Sequence, residues 1–426
     1  MTRLRTAAAV ALTLVAGVAC SAGAGSAPPA TTPATTPATR QPTTPATKPV
    51  TTPRTSPVPT AVSLDAQLIA AAWKNDLAAA RRLVAAGADV NAVDDTVQSA
   101  FLIAASEGHL DLLELTLRHG ANVRSLDSYR GTALIRAAER GHAAVVGRLL
   151  RAGVAVDHVN RLGWTALHEA VLLGDGSPRY VDTVRLLVAA GADRHRPAER
   201  DGNTPLRGAR HLGHVAVAAV LEVEPPRRES APASLLAAAT RGDADRVAAA
   251  LAAGAPLESR DEHHRTALLL ASLHDRVDAA RLLVGLGADP DAQDDRRDSA
   301  WLVTGVTGSV AMLETLLPAQ PDLALRNRFG GISVIPASER GHVDYVRRVV
   351  RTGIDVNHVN DLGWTALLEA VILGKGTDQW QQIVRILLAA GADPSLPDRD
   401  GVTPLRHATT RGYDEIAAIL RAAGAR

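Results

Sequence analysis

The chain has 426 residues, enough for two ordinary domains, and 46% of them are hydrophobic although aromatic residues supply only 3%. Alanine, leucine and valine must therefore build the core, which suits small residues between closely spaced helices. The formal net charge is +1, so the overall balance gives no reason to expect a nucleic-acid partner. A single cysteine, Cys20, excludes an internal disulfide, a cysteine-based metal site and a thiol nucleophile further along the chain.

Residues 1–20 have the features of an export signal. Arg3 and Arg5 form a basic start, and residues 7–18 are an uncharged, mostly apolar run, shorter than the roughly 20 residues that span a membrane. Small residues lead into Cys20, an ending that resembles a bacterial lipoprotein signal, in which the cysteine is acylated and becomes the new N-terminus. The resemblance implies a lipid anchor on the extracytoplasmic face of the cell membrane. Ordinary signal cleavage, which would release a soluble secreted protein, is the alternative.

Residues 21–62 are dominated by proline, threonine and alanine. Such a segment has little bulky apolar surface to bury, so it cannot offset the entropy lost on ordering. Frequent proline favours extended polyproline II conformations. We predict a disordered linker that separates the folded part from the membrane.

Three short phrases recur after the linker at spacings near 33 residues. They are Thr-Ala-Leu or Thr-Pro-Leu (as at residues 132–134), Gly-His (as at residues 108–109) and Gly-Ala-Asp (as at residues 87–89). Together they resemble the ankyrin repeat over residues 64–425. The resemblance implies an all-α solenoid of stacked helix pairs joined by projecting hairpins.

Each phrase suits a particular place in such a repeat. Threonine at the start of the first helix caps free N–H groups, and proline is tolerated in that first turn. The glycine of Gly-His ends the first helix, where a positive φ is needed. In the ankyrin family the histidine of this phrase contributes hydrogen bonds between helices and repeats, so the resemblance implies structural histidines and no metal site.

The repeats form two related arrays. We place the first array at residues 63–223, with about five repeats, and the second array at residues 233–426, with about six. Residues 160–174 match residues 360–374 at all but three positions, which indicates duplication at a shift of 200 residues. Between the arrays, residues 224–232 lack the expected Gly-Ala-Asp hairpin. We predict a break or bend here; a stack that continues across the join is the alternative.

Ankyrin proteins bind other proteins through hairpin tips and the concave helical face, and the resemblance carries these surfaces onto particular positions. Exposed tryptophans are natural binding anchors, although packing of Trp164 and Trp364 against neighbouring hairpins is an equally open interpretation. Trp301, by contrast, matches Phe101 of the first array, takes the place of a core leucine and is predicted to be buried. The candidate partner-binding residues are Trp73, Tyr129, Arg130, Arg161, Trp164, Tyr180, Phe329, Asp361, Trp364 and Trp380.

Tyr180 and Trp380 belong to this set because each follows a five-residue insertion inside one repeat, at residues 175–179 and 375–379. A loop that contacts a partner and a merely tolerated insertion are both compatible with this pattern.

The sequence predicts a non-enzymatic protein-binding scaffold. No nucleophile elbow, zinc helix motif or dinucleotide fingerprint occurs, so we predict no catalytic residue, no metal site and no cofactor. We expect a monomer that binds a protein partner and contacts the membrane only through its lipid. The alternative is an accessory or inhibitory subunit of a specific exported enzyme.

Overall fold

The structure, a computed structural model, describes residues 62–426, so the predicted signal, the predicted acylation site Cys20 and nearly all of the predicted linker lie outside the described residues. Within residues 62–426 the regular structure is helical, and the only β-type pairings are two isolated bridges. The predicted all-α fold is confirmed.

Twenty-two α-helices of this region follow one another in eleven pairs. They are α1 Leu64–Trp73, α2 Leu77–Ala85, α3 Ala100–Glu107, α4 Leu110–Arg118, α5 Ala133–Glu139, α6 Ala143–Arg151, α7 Ala166–Leu172, α8 Pro178–Ala189, α9 Pro205–Leu212, α10 Val215–Glu222, α11 Ala231–Arg241, α12 Ala244–Ala252, α13 Ala267–Leu273, α14 Val277–Gly285, α15 Ala300–Thr307, α16 Val310–Leu316, α17 Val334–Glu339, α18 Val343–Val349, α19 Ala366–Ile372, α20 Asp378–Ala389, α21 Pro404–Thr410 and α22 Asp414–Ala422. Short 3-10 turns lie at Arg228–Ser230, Leu317–Ala319 and Val350–Thr352.

The recurring phrases set the ends of the first helix in each pair. The hydroxyls of Thr132 and Thr266 accept hydrogen bonds from the third backbone N–H of α5 and α13, at 3.3 and 3.2 Å. Gly108 ends α3 with a φ of 76°, a left-handed conformation in which glycine carries no steric penalty. The predicted capping roles of threonine and glycine are thereby confirmed.

Helices stack in two layers within each array. In the first array the first helices of each pair (α1, α3, α5, α7, α9) form one layer and the second helices (α2, α4, α6, α8, α10) form the other. The second array repeats this arrangement with α11 to α22. Alanine, leucine and valine make up most of the core, and its largest fully buried side chains are Trp301, Tyr345 and Phe101. The prediction that Trp301 packs in the core is confirmed.

Hydrogen bonds also join neighbouring repeats outside the core. The backbone N–H of Arg161 donates to the carbonyl of Tyr129 at 2.9 Å, which ties one hairpin tip to the next. Nε2 of His142 lies 3.1 Å from the carbonyl oxygen of Ser106 in the preceding repeat. The histidine of the Gly-His phrase therefore has the structural role that the ankyrin resemblance implied.

The stacking changes direction after α10. Residues 223–230 contain no α-helix, and Arg194 fixes their start by donating to the carbonyl of Val223 and pairing with Glu224 at 3.3 Å. The next second helix, α12, packs against α8, and α14 packs against both α6 and α8. The two arrays therefore meet through their second helices.

Two glycines allow the arrays to approach closely. Gly147 lies in α6, and a Cβ atom added to it would lie 2.5 Å from the carbonyl oxygen of Gly285 in α14. Real Cβ atoms do not come so near to a backbone oxygen, so only glycine fits at position 147. Partly buried ion pairs flank this crossing, including Arg185 with Asp245 at 2.6 Å.

The duplicated sequence differs where the arrays touch. The counterpart of Gly147 in the second array is Arg347, which is exposed on α18. The counterpart of Leu282, buried in α14, is the exposed Arg82 on α2. Helices α6 and α14, which lie in the contact, thus carry a small or apolar residue where their exposed counterparts carry an arginine.

We expect Gly147→Ala to destabilise the protein. In an exposed helix this change raises the free energy of unfolding by about 0.5–1 kcal/mol, because alanine is the better helix former. Here the new Cβ meets a backbone oxygen, and overpacking of this kind costs about 1–3 kcal/mol. Denaturant unfolding measures the difference, and Gly285→Ala should cost less because its Cβ meets the movable side chain of Leu186. A stabilised Gly147→Ala protein would contradict the contact.

Candidate functional site

The hairpin tips bring the predicted residues together in pairs. In the first array Tyr129 and Arg130 form one tip, and Arg161 lies on the next tip, bonded to the carbonyl of Tyr129. In the second array the N–H of Asp361 donates to the carbonyl of Phe329 at 2.9 Å. Both aromatic rings are exposed, as are the side chains of Arg130, Arg161 and Asp361.

Arginine side chains orient both exposed rings. The guanidinium of Arg136 lies 5.3 Å from the ring centre of Tyr129, and that of Arg328 lies 4.5 Å from the ring centre of Phe329. Cation–π contacts at exposed positions contribute about 0.5–1 kcal/mol each. The rings are therefore held at the tips in a fixed position, which lowers the entropy lost when a partner binds.

Three of the four tryptophans predicted to bind a partner, Trp73, Trp164 and Trp364, reach the surface to different extents. Trp73 is exposed at the end of α1. Trp164 and Trp364 are half-buried, and their backbone N–H groups donate to Asn160 and Asn360 at 3.1 and 3.0 Å. Their intermediate burial leaves part of each side chain of Trp164 and Trp364 at the surface.

The structure corrects the prediction for Tyr180 and Trp380. Both side chains are buried. They anchor the lengthened helices α8 and α20 to the first helix of the preceding repeat, which is α5 for α8 and α17 for α20. The hydroxyl of Tyr180 donates to the carbonyl of Glu139 at 3.0 Å, and Nε1 of Trp380 donates to that of Glu339 at 3.1 Å. Their polar atoms and rings are used inside the protein, so they do not form a surface for a partner.

The tips of the two arrays have different chemistry. The second array exposes an apolar cluster of Phe329, Val359 and Leu362, of which Phe329 is 52% and Leu362 51% exposed. In the corresponding trio of the first array, Tyr129 is exposed, whereas Val159 and Leu162 are half-buried. The charges differ as well, because Arg161 has Asp361 as its counterpart. The copies therefore present one basic tip and one apolar, partly acidic tip.

Two buried glutamates were missed by the sequence reasoning. Glu169 in α7 is 1% exposed, and its Oε1 accepts a hydrogen bond from Asn160 at 2.7 Å. Glu369 in α19 is 5% exposed and accepts from Asn360 at 3.0 Å. The signal was present, since each glutamate interrupts the Ala-Leu stripe of a first helix and does so at the same place in both arrays.

Burial shifts both of these carboxyl groups towards the neutral form. Burial raises the pKa of Glu169 to about 8, the nearby carboxylate of Glu139 adds to the rise, and Arg136 and Asn160 oppose it. For Glu369 burial and the charge of Glu339 raise the pKa to about 7. Both glutamates thus carry a proton at mildly acidic pH.

Residues 62–426 contain no set of three or more His, Cys, Asp or Glu side chains arranged to hold a metal ion. None of the helices described over this range combines the length and the apolar character needed to cross a bilayer.

Comparisons with known proteins agree with the repeat pattern. The family profile described as "Ankyrin repeats (3 copies)" matches residues 68–159, 134–226, 305–398 and 336–426, and the single "Ankyrin repeat" profile matches residues 263–295. The chain is 42% identical over 195 residues to the putative ankyrin repeat protein YahD of Escherichia coli, covering 46% of this chain and 97% of YahD.

Two further matches are partial. The crystal structure of an ankyrin repeat domain from Acinetobacter baumannii is 47% identical, with 45% of this chain and 98% of that domain covered and a TM-score of 0.44. An L-asparaginase of Dirofilaria immitis is 29% identical over 190 residues, which are 45% of this chain but 31% of that enzyme.

We expect Glu169→Gln to make stability less dependent on pH. The folded protein holds a proton on Glu169 between the unfolded pKa near 4.5 and the folded pKa of about 8, so wild-type stability is greatest below this window and falls as pH rises through it. The slope approaches about 1.4 kcal/mol per pH unit for one proton. Denaturant unfolding from about pH 5 to about pH 9 measures this slope. The exposed control Glu415→Gln should keep the wild-type slope, and an unchanged slope in Glu169→Gln would refute the assignment.

Proposed function

This chain belongs to the ankyrin repeat family, and from that membership we propose that it is a non-enzymatic scaffold that binds a partner protein through its hairpin tips outside the cytoplasm. Ankyrin repeats are protein-interaction scaffolds, and the profile matches cover well over half of the chain. The observation that carries the proposal is the cluster of exposed apolar side chains on adjacent tips of the second array, Phe329, Val359 and Leu362. Aromatic side chains on a rigid framework are typical binding anchors.

Enzymatic activity has no comparable support. The match to L-asparaginase spans only 31% of that enzyme, so the enzyme's activity is not carried over to this chain. The buried side chains of Asn160 and Glu169 bond to each other within the repeat framework. The scaffold proposal therefore rests on exposed side chains that can contact a partner protein, and it requires no catalytic activity.

Tethering is the second part of the proposal. Its support is the sequence of residues 1–20, with a basic start, a short apolar run and Cys20 after small residues. The proline- and threonine-rich stretch that follows would give the repeats reach above the membrane. A protein held in this way would concentrate a partner at the cell surface.

We expect the double variant Phe329→Ala and Leu362→Ala to lose partner capture. Truncation of two central apolar anchors commonly costs 2 kcal/mol or more, so capture should fall by at least about tenfold. The measurement is quantitative affinity capture by the full-length chain from envelope extracts. Val215→Ala is the matched control, because Val215 is 79% exposed on α10, away from the tips.

If the double variant captures as much partner as the wild type, the tips of the second array do not form the binding surface. Recovery of one exported enzyme in equal amount with the chain would instead favour the alternative of an accessory or inhibitory subunit.

Replacement of Cys20 should abolish lipid attachment. Cys20→Ser removes the thiol that would carry the acyl chains, so we expect no incorporation of labelled palmitate and transfer of the protein from the membrane to the soluble exported fraction. Serine keeps the size and polarity of the site, which makes it a conservative test. Labelling that persists in Cys20→Ser, or a wild-type protein without label, would contradict a lipid anchor and support simple secretion.

A further inference from the structure

The hairpin tips of the two arrays share an apolar centre. Leu162 of the first array has Leu362 as its counterpart 200 residues later, and the exposed ring of Tyr129 matches that of Phe329. Each array also has a half-buried tryptophan two residues after this leucine. The apolar part of the tip surface is therefore of the same kind in both arrays.

The charged side chains beside this centre have opposite signs in the two arrays. Arg161 has Asp361 as its counterpart, and Glu199 on the next tip has Arg399. Glu199 and Arg399 each lie over the tip glycine of the preceding repeat, so the two positions are equivalent in space as well as in sequence. We call Arg161 with Glu199 the first tip pair, and Asp361 with Arg399 the second tip pair.

No charge of either tip pair is neutralised within residues 62–426. All of these side chains are exposed, and none of them takes part in an ion pair in the part of the chain that the structure describes. The arrays meet through their second helices, and this contact leaves both tip pairs exposed. Their charges are therefore available to another molecule.

The residues that follow extend the same alternation of charge. Arg200 follows Glu199 and Asp400 follows Arg399, and both side chains are exposed. A guanidinium N–H of Arg200 donates to the backbone carbonyl of Arg161 at 2.8 Å, which holds the two arginines on adjacent tips together. Along the tips the charges are thus positive, negative and positive in the first array, and negative, positive and negative in the second.

Reversed charges around a shared apolar centre are unfavourable for one common ligand. A partner whose charges match the first tip pair places like charges against the second tip pair, and such contacts oppose binding. The surface that does match the first tip pair is the second tip pair itself. An apolar centre with a charged rim is also the usual composition of a protein–protein interface.

We infer that the tips of the first array bind the tips of the second array in another copy of this chain. Arg161 faces Asp361, Glu199 faces Arg399, and the exposed apolar side chains around Phe329 are covered. A twofold axis forms this contact twice, because each copy contributes one array of each kind. The inference rests on the proposed function, since it names the partner of the tip surface, and it replaces the monomer expected from the sequence.

The test measures self-association of the full-length chain by sedimentation velocity in the Cys20→Ser background, in which no acyl chain can drive association. We expect a reversible dimer at a protein concentration of about 100 μM in low salt. The dissociation constant should rise at least about tenfold between about 0.05 and about 0.5 M sodium chloride, because salt screens exposed charges.

Charge-swap variants separate this contact from general electrostatics. Arg161→Asp with Glu199→Arg gives both arrays the charges of the second tip pair, and Asp361→Arg with Arg399→Glu gives both arrays those of the first. Each swap variant should have a dissociation constant at least about tenfold above the wild-type value. An equimolar mixture of the two variants, or one chain with all of these changes, should associate like the wild type, because opposite charges face each other again.

The matched control reverses charges outside the tips. Arg81→Asp with Glu415→Arg makes the same change at exposed positions on α2 and α22, so it should associate like the wild type. A control that dissociates as far as the swap variants do assigns the effect to general electrostatics and overturns the inference. A wild type that stays monomeric at about 100 μM, a swap variant that associates like the wild type, or a mixture that stays monomeric overturns it as well.

The outcomes also distinguish this inference from the proposed function. If the wild type is monomeric but captures a different protein that the Phe329 and Leu362 double variant loses, the scaffold proposal stands and self-association is refuted. If the swap variants and their mixture behave as expected while the double variant captures a different protein normally, self-association stands. In that case the captured protein does not bind the tips of the second array, and that part of the proposed function fails.

Discussion

The whole structure depends on each helix pair burying its apolar stripe against the next pair. A single pair of helices with six to twelve residues each has no core of its own, so stability comes from the interfaces between neighbours. Alanine allows the first helices of adjacent repeats to approach closely. Hydrogen bonds between adjacent hairpins orient each repeat relative to the next. Because this framework needs only the inner stripe and the capping residues, the tips are free to vary. That freedom is what allows a repetitive protein to hold a specific binding surface.

Duplication gave the chain two such binding surfaces. The contact between the arrays determines which helix faces and hairpin tips remain exposed. The second helices α6 and α8 of the first array are covered by α12 and α14, and Gly147 and Leu282 fit this contact where their counterparts are exposed arginines. The corresponding face of α18 keeps the exposed Arg347. Covering the second helices leaves the hairpin tips of both arrays available, so the packing of the arrays and the use of the tips are compatible.

Much of this arrangement follows from local sequence, and the rest does not. Helix ends were predictable because Thr132 and Gly108 act within one repeat, and Trp301 was predictable because it lies on an apolar stripe. The burial of Tyr180 and Trp380 was not, since it depends on where a lengthened helix meets its neighbour. Contacts between repeats that are far apart in sequence, such as Gly147 with Gly285, leave no periodic signal in either partner. The repeated pattern therefore predicts the contacts that all repeats share, but it does not predict contacts that only one repeat makes.

The places where a repeat departs from its own pattern are therefore the most informative about function. A glutamate in the apolar stripe of α7 or α19 lowers stability unless its proton or its partners compensate for the burial. The first array supplies the cation Arg136 nearby, and the second array does not. Each buried carboxyl group is instead stabilised by keeping its proton and by the hydrogen bond from Asn160 or Asn360, so both pairs make the stability of the framework depend on pH.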